Sequence, residues 1–287
     1  MKPAFWFPLF LFTALIASLQ TVFAQEIPEP QWTPVFQGVD YAHFEVAEPL
    51  LKVHVLRIDS QAPGISFVTT GRCENYKENE AETERRTAPD FLVENDLEAA
   101  INGNFYSPFN LMTLTTRGPS NLKGLVVSDG VLVSPPQQGF ASFIQNRGDG
   151  LFSIRTVQPG DPLDGIRTAV SGNQILMEGG KRVDSPAPAR HPRTAVGISP
   201  DRKTVYFVVV DGRQEGFSIG ATYNDLGAIF ERLGAYEALN LDGGGSTTMV
   251  IRDAANQPKV LNRPVGQGPV NTLRHNGNAI GIHANRL

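Results

Sequence analysis

The chain has 287 residues, 41% of them hydrophobic, which is enough for one large domain or two small ones with a proper core. Its formal net charge is −4 and its pI is near 5.8, so it lacks the basic excess that is typical of general nucleic-acid-binding proteins. Cys73 is the only cysteine, which excludes a disulfide framework and leaves stability to the hydrophobic core.

The start of the chain has the pattern of a secretory signal peptide. Lys2 supplies a positive charge, residues 4–19 are almost wholly apolar, and Val22-Phe23-Ala24 ends the segment. The apolar run is shorter than a bilayer span, so we predict a signal peptide over residues 1–24, with an uncleaved anchor as the alternative. In either case we expect export to the bacterial periplasm or the cell exterior, and no stable membrane span after cleavage.

Residues 25–50 are predicted to form an N-terminal linker and a first strand, and residues 51–287 to form the domain proper. Apolar residues alternate with others over Leu51–Asp59 and over Ile65–Thr69, which predicts two strands. The turn residues Gln61-Ala62-Pro63-Gly64 predict that these strands form a hairpin.

The next segment, Gly71–Ala88, is polar and highly charged and predicts a mobile loop, which is either simply solvated or able to close over a site. Pro89–Glu98 has helical spacing of its apolar residues. Residues 122–170 form a series of short β-type runs separated by glycine-containing turns.

Two buried strands and a second helix follow. Val196–Ile198 and Val205–Val210 are apolar runs separated by a turn, and Thr222–Leu233 has helical spacing that ends at Gly234. Many strands and two clear helices predict an α+β fold, with mixed, mostly antiparallel β-sheets packed with a few helices in a single domain.

The most informative stretch follows this helix, where Asp242 precedes three consecutive glycines and the hydroxyl residues 246–248. Consecutive glycines lose much backbone freedom on folding, so the run needs a reason. A tight turn between two strands is one explanation. The other is an anion site, in which backbone amides face a pocket and hold a phosphate. The run has neither the Lys-Ser/Thr ending of a P-loop nor the spacing of a dinucleotide fold.

Four polar clusters end or interrupt the apolar strands: Asn102–Asn104, His191–Thr194, Asp211–Arg213 and Asp242 with its glycines. Strand ends present side chains to pockets, so we expect these clusters to converge. Each cluster also has a structural explanation, as an Asp-Gly turn, a solvated arginine or a bracing asparagine. Together, arginines, glycine amides and paired carboxylates suit a negatively charged sugar-phosphate linkage.

Several motifs, in this order along the chain, resemble the phosphodiester glycosidase family. They are Asn102–Tyr106, Ser171–Leu176, Arg193–Ile198, Val208–Arg213, Gly220–Thr222, Ala238–Val250 and Asn278–Gly281. The resemblance spans about residues 101–283 and departs from the family pattern at Asn104, where a glycine is common. It implies hydrolysis of a sugar-1-phosphodiester to a free sugar and a phosphomonoester, with a sugar-phosphate or a phosphodiester-containing glycan as the substrate.

We assign two sets of candidate site residues from these clusters and from the resemblance. The catalytic candidates are Asp242, Asp211 and His191, with one carboxylate assisting the attack of water at the anomeric carbon. The candidates for binding substrate and phosphate are Arg193, Arg213, Asn102, Asn104, Gly243, Gly244, Gly245, Ser246 and Thr247. The aromatic residues that either stack on a sugar or pack in the core are Phe105, Tyr106, Phe109 and Phe217.

No cofactor is assigned, but a divalent cation, calcium or magnesium, held by Asp211 or Asp242 is a rival role for these acids. Two other functions stay open: a metal-dependent phosphodiesterase that cleaves P–O, and a non-catalytic module that binds anionic glycans. The five histidines are scattered along the sequence, which argues against the phosphodiesterase. The sequence predicts no nucleic-acid partner and assigns neither metal ligands nor an oligomeric state.

Overall fold

The computed structural model describes residues 27–75, 81–107, 115–266 and 271–287, and most of its regular structure is β-strand. The predicted signal peptide therefore lies outside the described residues. In chain order the strands are β1 (Thr33–Phe36), β2 (Val39–Val46), β3 (Leu51–Asp59), β4 (Ser66–Thr69), β5 (Thr83–Glu84), β6 (Ala99–Asn102), β7 (Tyr106–Ser107), β8 (Pro119–Leu122), β9 (Val126–Ser128), β10 (Val131–Ser134), β11 (Ala141–Asn146), β12 (Phe152–Thr156), β13 (Ile166–Gly172), β14 (Gln174–Glu178), β15 (Lys181–Arg182), β16 (Arg193–Ile198), β17 (Thr204–Val210), β18 (Glu237–Asn240), β19 (Met249–Arg252), β20 (Pro258–Val260) and β21 (Ala279–His283). The α-helices of the described residues are α1 (Ala88–Glu94) and α2 (Tyr223–Arg232).

The strands form four sheets. The largest has eight strands in the order β1-β2-β3-β17-β16-β18-β14-β15. Two five-stranded sheets have the orders β10-β9-β13-β11-β12 and β20-β19-β6-β21-β4, and a small sheet joins β5, β8 and β7. Neighbouring strands pair antiparallel, for example β3 with β17 and β17 with β16. The prediction of mostly antiparallel sheets is confirmed, and with two short helices among the described residues the fold is largely β.

The eight-stranded sheet is covered by apolar residues on both faces. One face packs against the two five-stranded sheets in a core that includes Leu56, Phe207 and Phe143. The other face packs against α2, whose Leu226 and Phe230 contact the second core. Strands buried on both faces read as continuous apolar runs. This explains why Val205–Val210 shows no alternation.

One predicted hairpin is wrong. The strands β3 and β4 form at the predicted residues, but β3 pairs with β2 and β17, whereas β4 pairs with β21. The turn at residues 61–64 therefore carries the chain from one sheet to another. Phe67 of β4 packs on Phe152 of β12 and Phe207 of β17 in the central core, with ring centroids 4.7 and 6.1 Å away, so β4 contacts the two other large sheets through this side chain.

Two further segments are more ordered than their sequence indicates. Residues 25–50 contain two strands, β1 and β2, and β2 pairs with β3 along its whole length. Within the charged segment 71–88, the strand β5 pairs with β8, and Arg86 forms ion pairs with Glu84 and Glu94. Residues 76–80 of that predicted loop lie outside the described residues. Among the residues that are described, no helix is both long enough and apolar enough to cross a membrane.

Replacing Thr222 by alanine should lower the free energy of unfolding by about 1 kcal/mol. Thr222 caps α2: its side chain accepts the amide hydrogen of Asp225 at 3.1 Å, and the Asp225 carboxylate accepts that of Thr222 at 2.9 Å. Urea unfolding of the variant measures the loss. Thr222→Ser keeps the hydroxyl and should restore most of the stability; equal stability of the alanine and serine variants would contradict the assignment of this cap.

Candidate active site

The predicted convergence of strand ends occurs at one edge of the eight-stranded sheet. Arg193 at the start of β16 pairs with Val210 at the end of β17, and Asn240 at the end of β18 pairs with Ala195. The three central strands therefore deliver the clusters that begin at His191, Asp211 and Asp242 to the same edge. Antiparallel neighbours place the start of one strand beside the ends of the two others, which explains this arrangement.

A cavity of about 450 Å³ opens at this edge. Its lining residues are Phe105, Tyr106, His191, Arg193, Arg213, Tyr223, Asp242, Gly243, Gly244, Gly245 and Arg274. The lining includes seven of the twelve predicted site residues. The other five, which lie outside it, are Asp211, Asn102, Asn104, Ser246 and Thr247. Phe109 lies outside the described residues.

Asp242 is the carboxylate of this cavity. It follows β18 directly, and its own backbone amide donates to the carbonyl oxygen of Gly103 at 3.0 Å. Burial raises the pKa of its carboxyl to about 6, from an ordinary value of 3.8, while hydrogen bonds from Ser246 and Gly243 and the charge of Arg274 offset part of this increase. A carboxyl with a pKa near neutrality is able to take up or release a proton during a reaction.

The pKa of Asp242 predicts how stability depends on pH. Between about pH 4 and pH 6 the folded chain keeps a proton on Asp242 that the unfolded chain has released. The free energy of unfolding should therefore fall as the pH rises through this window, by on the order of 2–3 kcal/mol from this group alone. Urea unfolding of the wild type and Asp242→Asn at several pH values isolates the effect. Parallel stability curves for the two proteins would rule it out.

Three arginines line the cavity together with Asp242 and make it electropositive. Arg193 is buried: its Nε donates to the carbonyl of Ala221 and its Nη2 to that of Ala189, each at 2.9 Å, and its guanidinium stacks on Tyr223 at 4.3 Å. Among the described residues, no carboxylate forms an ion pair with this guanidinium. Its charge is therefore available to an anionic ligand in the cavity.

Arg213 and Arg274 complete the set. Arg213 follows the turn after β17 and is exposed, with a positive φ of 58°. Arg274 is buried: its Nη1 donates to Ser246 Oγ at 3.3 Å and its Nη2 to the carbonyl of Gly266 at 3.0 Å. Three guanidinium groups in one cavity are suited to bind phosphate oxygens.

His191 is held in one orientation by Arg213. The Arg213 Nη2 lies 3.2 Å from His191 Nδ1. Arginine only donates, so Nδ1 accepts and the proton of the neutral ring is on Nε2. Burial, Arg193 and Arg213 all lower the pKa of His191, which keeps the ring neutral at pH 7. His191 is therefore placed to donate one hydrogen bond through Nε2 and not to act as a cation.

The glycine loop is built differently from the anion site that its sequence predicts. The amide of Gly244 donates to the carbonyl of Pro192 at 2.8 Å, and the amides of Ser246 and Thr247 donate to carbonyl groups inside the loop at 3.2 and 3.3 Å. These three donors are occupied inside the fold, and the charged groups that the cavity offers to an anion are the arginines. The glycines instead permit close packing: a Cβ on Gly243 would lie 2.7 Å from the oxygen of Pro192.

Asp211 lies on the opposite face of the sheet from Asp242. Side chains alternate between the two faces along a strand. Asp211 follows β17 with the phase of Val209, which belongs to the core against the five-stranded sheets. Asp242 follows β18 with the phase of Ala238, which belongs to the core beneath α2. Asp211 Oδ1 instead accepts from the amide of Arg263 at 2.9 Å and from a side-chain amide at 3.1 Å.

Asn102 does not line the cavity; its hydrogen bonds support the backbone behind it. Its Nδ2 donates to the carbonyl of Asp242 at 2.6 Å. Its Oδ1 accepts from the hydroxyl of Thr194 at 2.6 Å and from the amide of Thr248 at 3.1 Å. All its hydrogen bonds thus join β6, β16 and the glycine loop, which fixes the backbone that carries Asp242.

Asn104 has the same kind of role. Its Oδ1 accepts from the amide of Ser171 at 2.9 Å, its Nδ2 donates to the carbonyl of Lys123 at 2.9 Å, and its own amide donates to Asn278 Oδ1 at 2.6 Å. It is fully buried. The asparagine at this position joins β13, the turn after β8 and the residue before β21.

Ser246 and Thr247 are also buried behind the lining, where Ser246 contacts both Asp242 and Arg274. Arg274 and Tyr223 also line the cavity and are not among the predicted site residues. Tyr223 is the first residue of α2 and could have been included, because it follows Thr222, at which the predicted helix begins. Arg274 lies in a loop with no strand or helix periodicity, so no local pattern identifies it.

The described residues contain no group of three His, Cys, Asp or Glu side chains that could hold a metal ion. We therefore assign no step of the chemistry to calcium or magnesium.

Comparisons with known proteins agree with this fold. The structure matches the catalytic domain of zebrafish N-acetylglucosamine-1-phosphodiester α-N-acetylglucosaminidase, which is auto-inhibited by its pro-peptide, with a TM-score of 0.64, 19% identity, and coverage of 90% of this chain and 85% of that one. It also matches a hypothetical protein from Synechocystis, with a TM-score of 0.55, 16% identity and coverage of 88% and 64%. A Burkholderia pseudomallei K96243 protein described as exported matches with a TM-score of 0.58, 16% identity and coverage of 81% and 74%.

No curated protein sequence matches the chain. The model of the family described as phosphodiester glycosidase matches residues 95–283, which is more than half of the sequence. The resemblance found in the motifs is thereby confirmed, and the chain belongs to the phosphodiester glycosidase family.

Proposed function

We propose that the chain is an exported hydrolase that cleaves the glycosidic C–O bond of a sugar-1-phosphodiester and releases a sugar and a phosphomonoester. One observation carries this proposal: a single buried carboxyl with a raised pKa, Asp242, shares a cavity with three arginines. Family membership and the similarity to a phosphodiester glycosidase catalytic domain support it. Export is supported by the signal-like start of the sequence.

The proposed mechanism uses one carboxylate. In its ionised form Asp242 accepts a proton from the water that attacks the anomeric carbon. Glycosidases commonly use a second carboxyl to protonate the leaving oxygen. A phosphate is a good leaving group already, so it needs charge stabilisation more than a proton. Arg193, Arg213 and Arg274 provide that stabilisation, and His191 donates a hydrogen bond through Nε2. Asp211 has no direct part in this scheme.

Isotope labelling tests the proposal. The purified chain and its Asp242→Asn variant are incubated with UDP-N-acetylglucosamine, and with a synthetic N-acetylglucosamine-1-phosphodiester, in ¹⁸O water with and without a chelator. We expect label in the released sugar, turnover that survives the chelator, and loss of turnover in the variant. Label in the phosphate would instead support a metal-dependent phosphodiesterase, the more so if the chelator abolishes it.

The absence of turnover would bear on the alternative function, a non-catalytic glycan-binding module. If neither compound is turned over, hydrolysis of N-acetylglucosamine-1-phosphate linkages is contradicted. Measured binding of the phosphodiester without turnover would then favour the non-catalytic module.

A further inference from the structure

A second cavity, of about 440 Å³, lies beside the first and is not used by the proposed mechanism. Asp211 lines this cavity, and Arg213 lines the first one. These residues are two positions apart, so their Cα atoms are at most about 7 Å apart. The two cavities are therefore separated by one short segment of chain, and because Asp211 and Asp242 lie on opposite faces of the sheet, a linear molecule that occupies both passes over this sheet edge.

The second cavity contains a buried polar chain. Tyr41 Oη lies 2.8 Å from His54 Nδ1, and His54 Nε2 lies 3.4 Å from Asp211 Oδ2. Both His54 and Asp211 are more than nine-tenths buried, and Asp211 Oδ2 has no hydrogen-bond partner among the described residues. A buried polar group of this kind needs an explanation. Burial and the charge of Asp211 raise the pKa of Tyr41 to about 12, so its hydroxyl stays protonated.

The same cavity has ring faces and a cation. His43 is exposed, and its ring centroid lies 4.7 Å from that of His54. Phe217 is half-buried, with the Arg263 guanidinium 4.8 Å from its ring centroid and Lys52 Nζ 5.4 Å from it.

The positive charge that this cavity offers to a ligand comes from Arg263, whereas the Asp211 carboxylate offers an acceptor to hydroxyl groups. Lys52 is paired with Glu45, so little of its charge is available. The exposed Arg263 side chain forms no ion pair with a described residue. Arginine binds phosphate oxygens in a fork geometry, whereas hydroxyl groups of a sugar pair with the polar atoms around Tyr41 and His54. The cavity thus combines groups for a phosphate, for hydroxyls and for the apolar face of a sugar ring.

We infer that the second cavity binds a non-reacting repeat of a phosphodiester-linked glycan, so that the substrate is an oligomer or polymer that spans both cavities. This inference rests on the proposed function for the choice of ligand. Arg263 holds the phosphate of the neighbouring repeat, and Phe217 contacts the sugar. Binding energy from such a remote repeat raises the affinity for long substrates over short ones.

The test measures how affinity depends on substrate length. The probes are a synthetic trimer of N-acetylglucosamine-1-phosphate joined by phosphodiester bonds, and its single-repeat methyl phosphodiester. Titration calorimetry uses the Asp242→Asn chain, so that the probes are not consumed. We expect the trimer to bind at least tenfold more tightly than the single repeat. In the Arg263→Gln and Phe217→Ala backgrounds, the affinity for the trimer should fall to about that of the single repeat.

Arg155→Gln is the matched control, since it removes an equally exposed arginine that lines neither cavity. This variant should still bind the trimer at least tenfold more tightly than the single repeat. Equal affinity for trimer and single repeat, or an advantage that survives both cavity substitutions, would overturn the inference. Wild-type chain that fails to hydrolyse either probe, while the advantage persists and depends on Arg263, would instead reject the proposed hydrolysis and keep the binding site. Thermal melting checks that each variant is folded.

Discussion

Replacing Asp242 by asparagine is expected to lower kcat by about 10²- to 10⁴-fold, which is the usual contribution of a positioned acid or base. Asparagine has nearly the same size and keeps one side-chain oxygen that can accept a hydrogen bond from Ser246 or Gly243. It cannot accept a proton from the attacking water. The measurement is the rate of release of sugar from the synthetic phosphodiester, with the wild type at the same pH as the reference.

The pH dependence of the rate shows whether Asp242 acts as a base or as an acid. If ionised Asp242 is the base, kcat/KM of the wild type should rise with pH through about 6, the pKa of its carboxyl. A rate that falls through the same range would assign Asp242 as an acid. The residual activity of the variant should have lost this inflection in either case.

Asp211→Asn is the matched control for this prediction, because it makes the same chemical change at the other candidate carboxylate. Asp211 faces away from the first cavity, and asparagine can still accept the hydrogen bond from the Arg263 amide at Oδ1. We expect kcat on the single-repeat substrate to stay within about tenfold of the wild type, because an acid outside the cavity takes no part in proton transfer there. A loss as large as that of Asp242→Asn would show that the mechanism needs both carboxylates and that the one-carboxylate scheme is wrong.

The different positions of these two acids show what the sequence could predict. Apolar runs placed β16, β17 and α2 nearly correctly, and antiparallel pairing then brings their polar ends to one edge. Strand alternation also separates Asp211 from Asp242, since each follows its strand with a different phase. That step was available from the sequence once β17 and β18 were known to lie on either side of β16.

Other parts of the site depend on contacts that no local pattern encodes. The residue Arg274 reaches Asp242 from a loop that is distant in sequence, and only the packed structure brings them together. The pairing of β4 with β21 joins residues more than 200 positions apart, so the turn next to β4 in the sequence did not predict its partner strand. The asparagines of β6 and its following loop lie behind the cavity, and the hydrogen-bond partners that give them a supporting role are distant in sequence as well.

Replacing Gly245 by alanine should destabilise the fold and disable the site at once. A Cβ at this position would lie 1.8 Å from the carbonyl oxygen of Gly266 and 2.3 Å from Arg274 Nη2. The first contact is with backbone, which cannot rotate away. Overpacking of this kind typically costs 1–3 kcal/mol, so we expect a loss of about 2–3 kcal/mol. For a chain of this size that corresponds to a decrease in Tm of roughly 5–10 °C.

The effect on activity follows from the displacement of Arg274. If the loop shifts by about 1 Å to relieve the contact, the guanidinium moves relative to Asp242 and the substrate phosphate, and a misplacement of that size can cost about a hundredfold in rate. Gly165→Ala is the control, because its Cβ would meet no atom within 4 Å and its φ is not positive. Calorimetric melting and sugar release are measured on both variants. A Gly245→Ala protein that melts at the same temperature as the control and keeps full turnover would show that glycine at position 245 is not needed for close packing against Arg274.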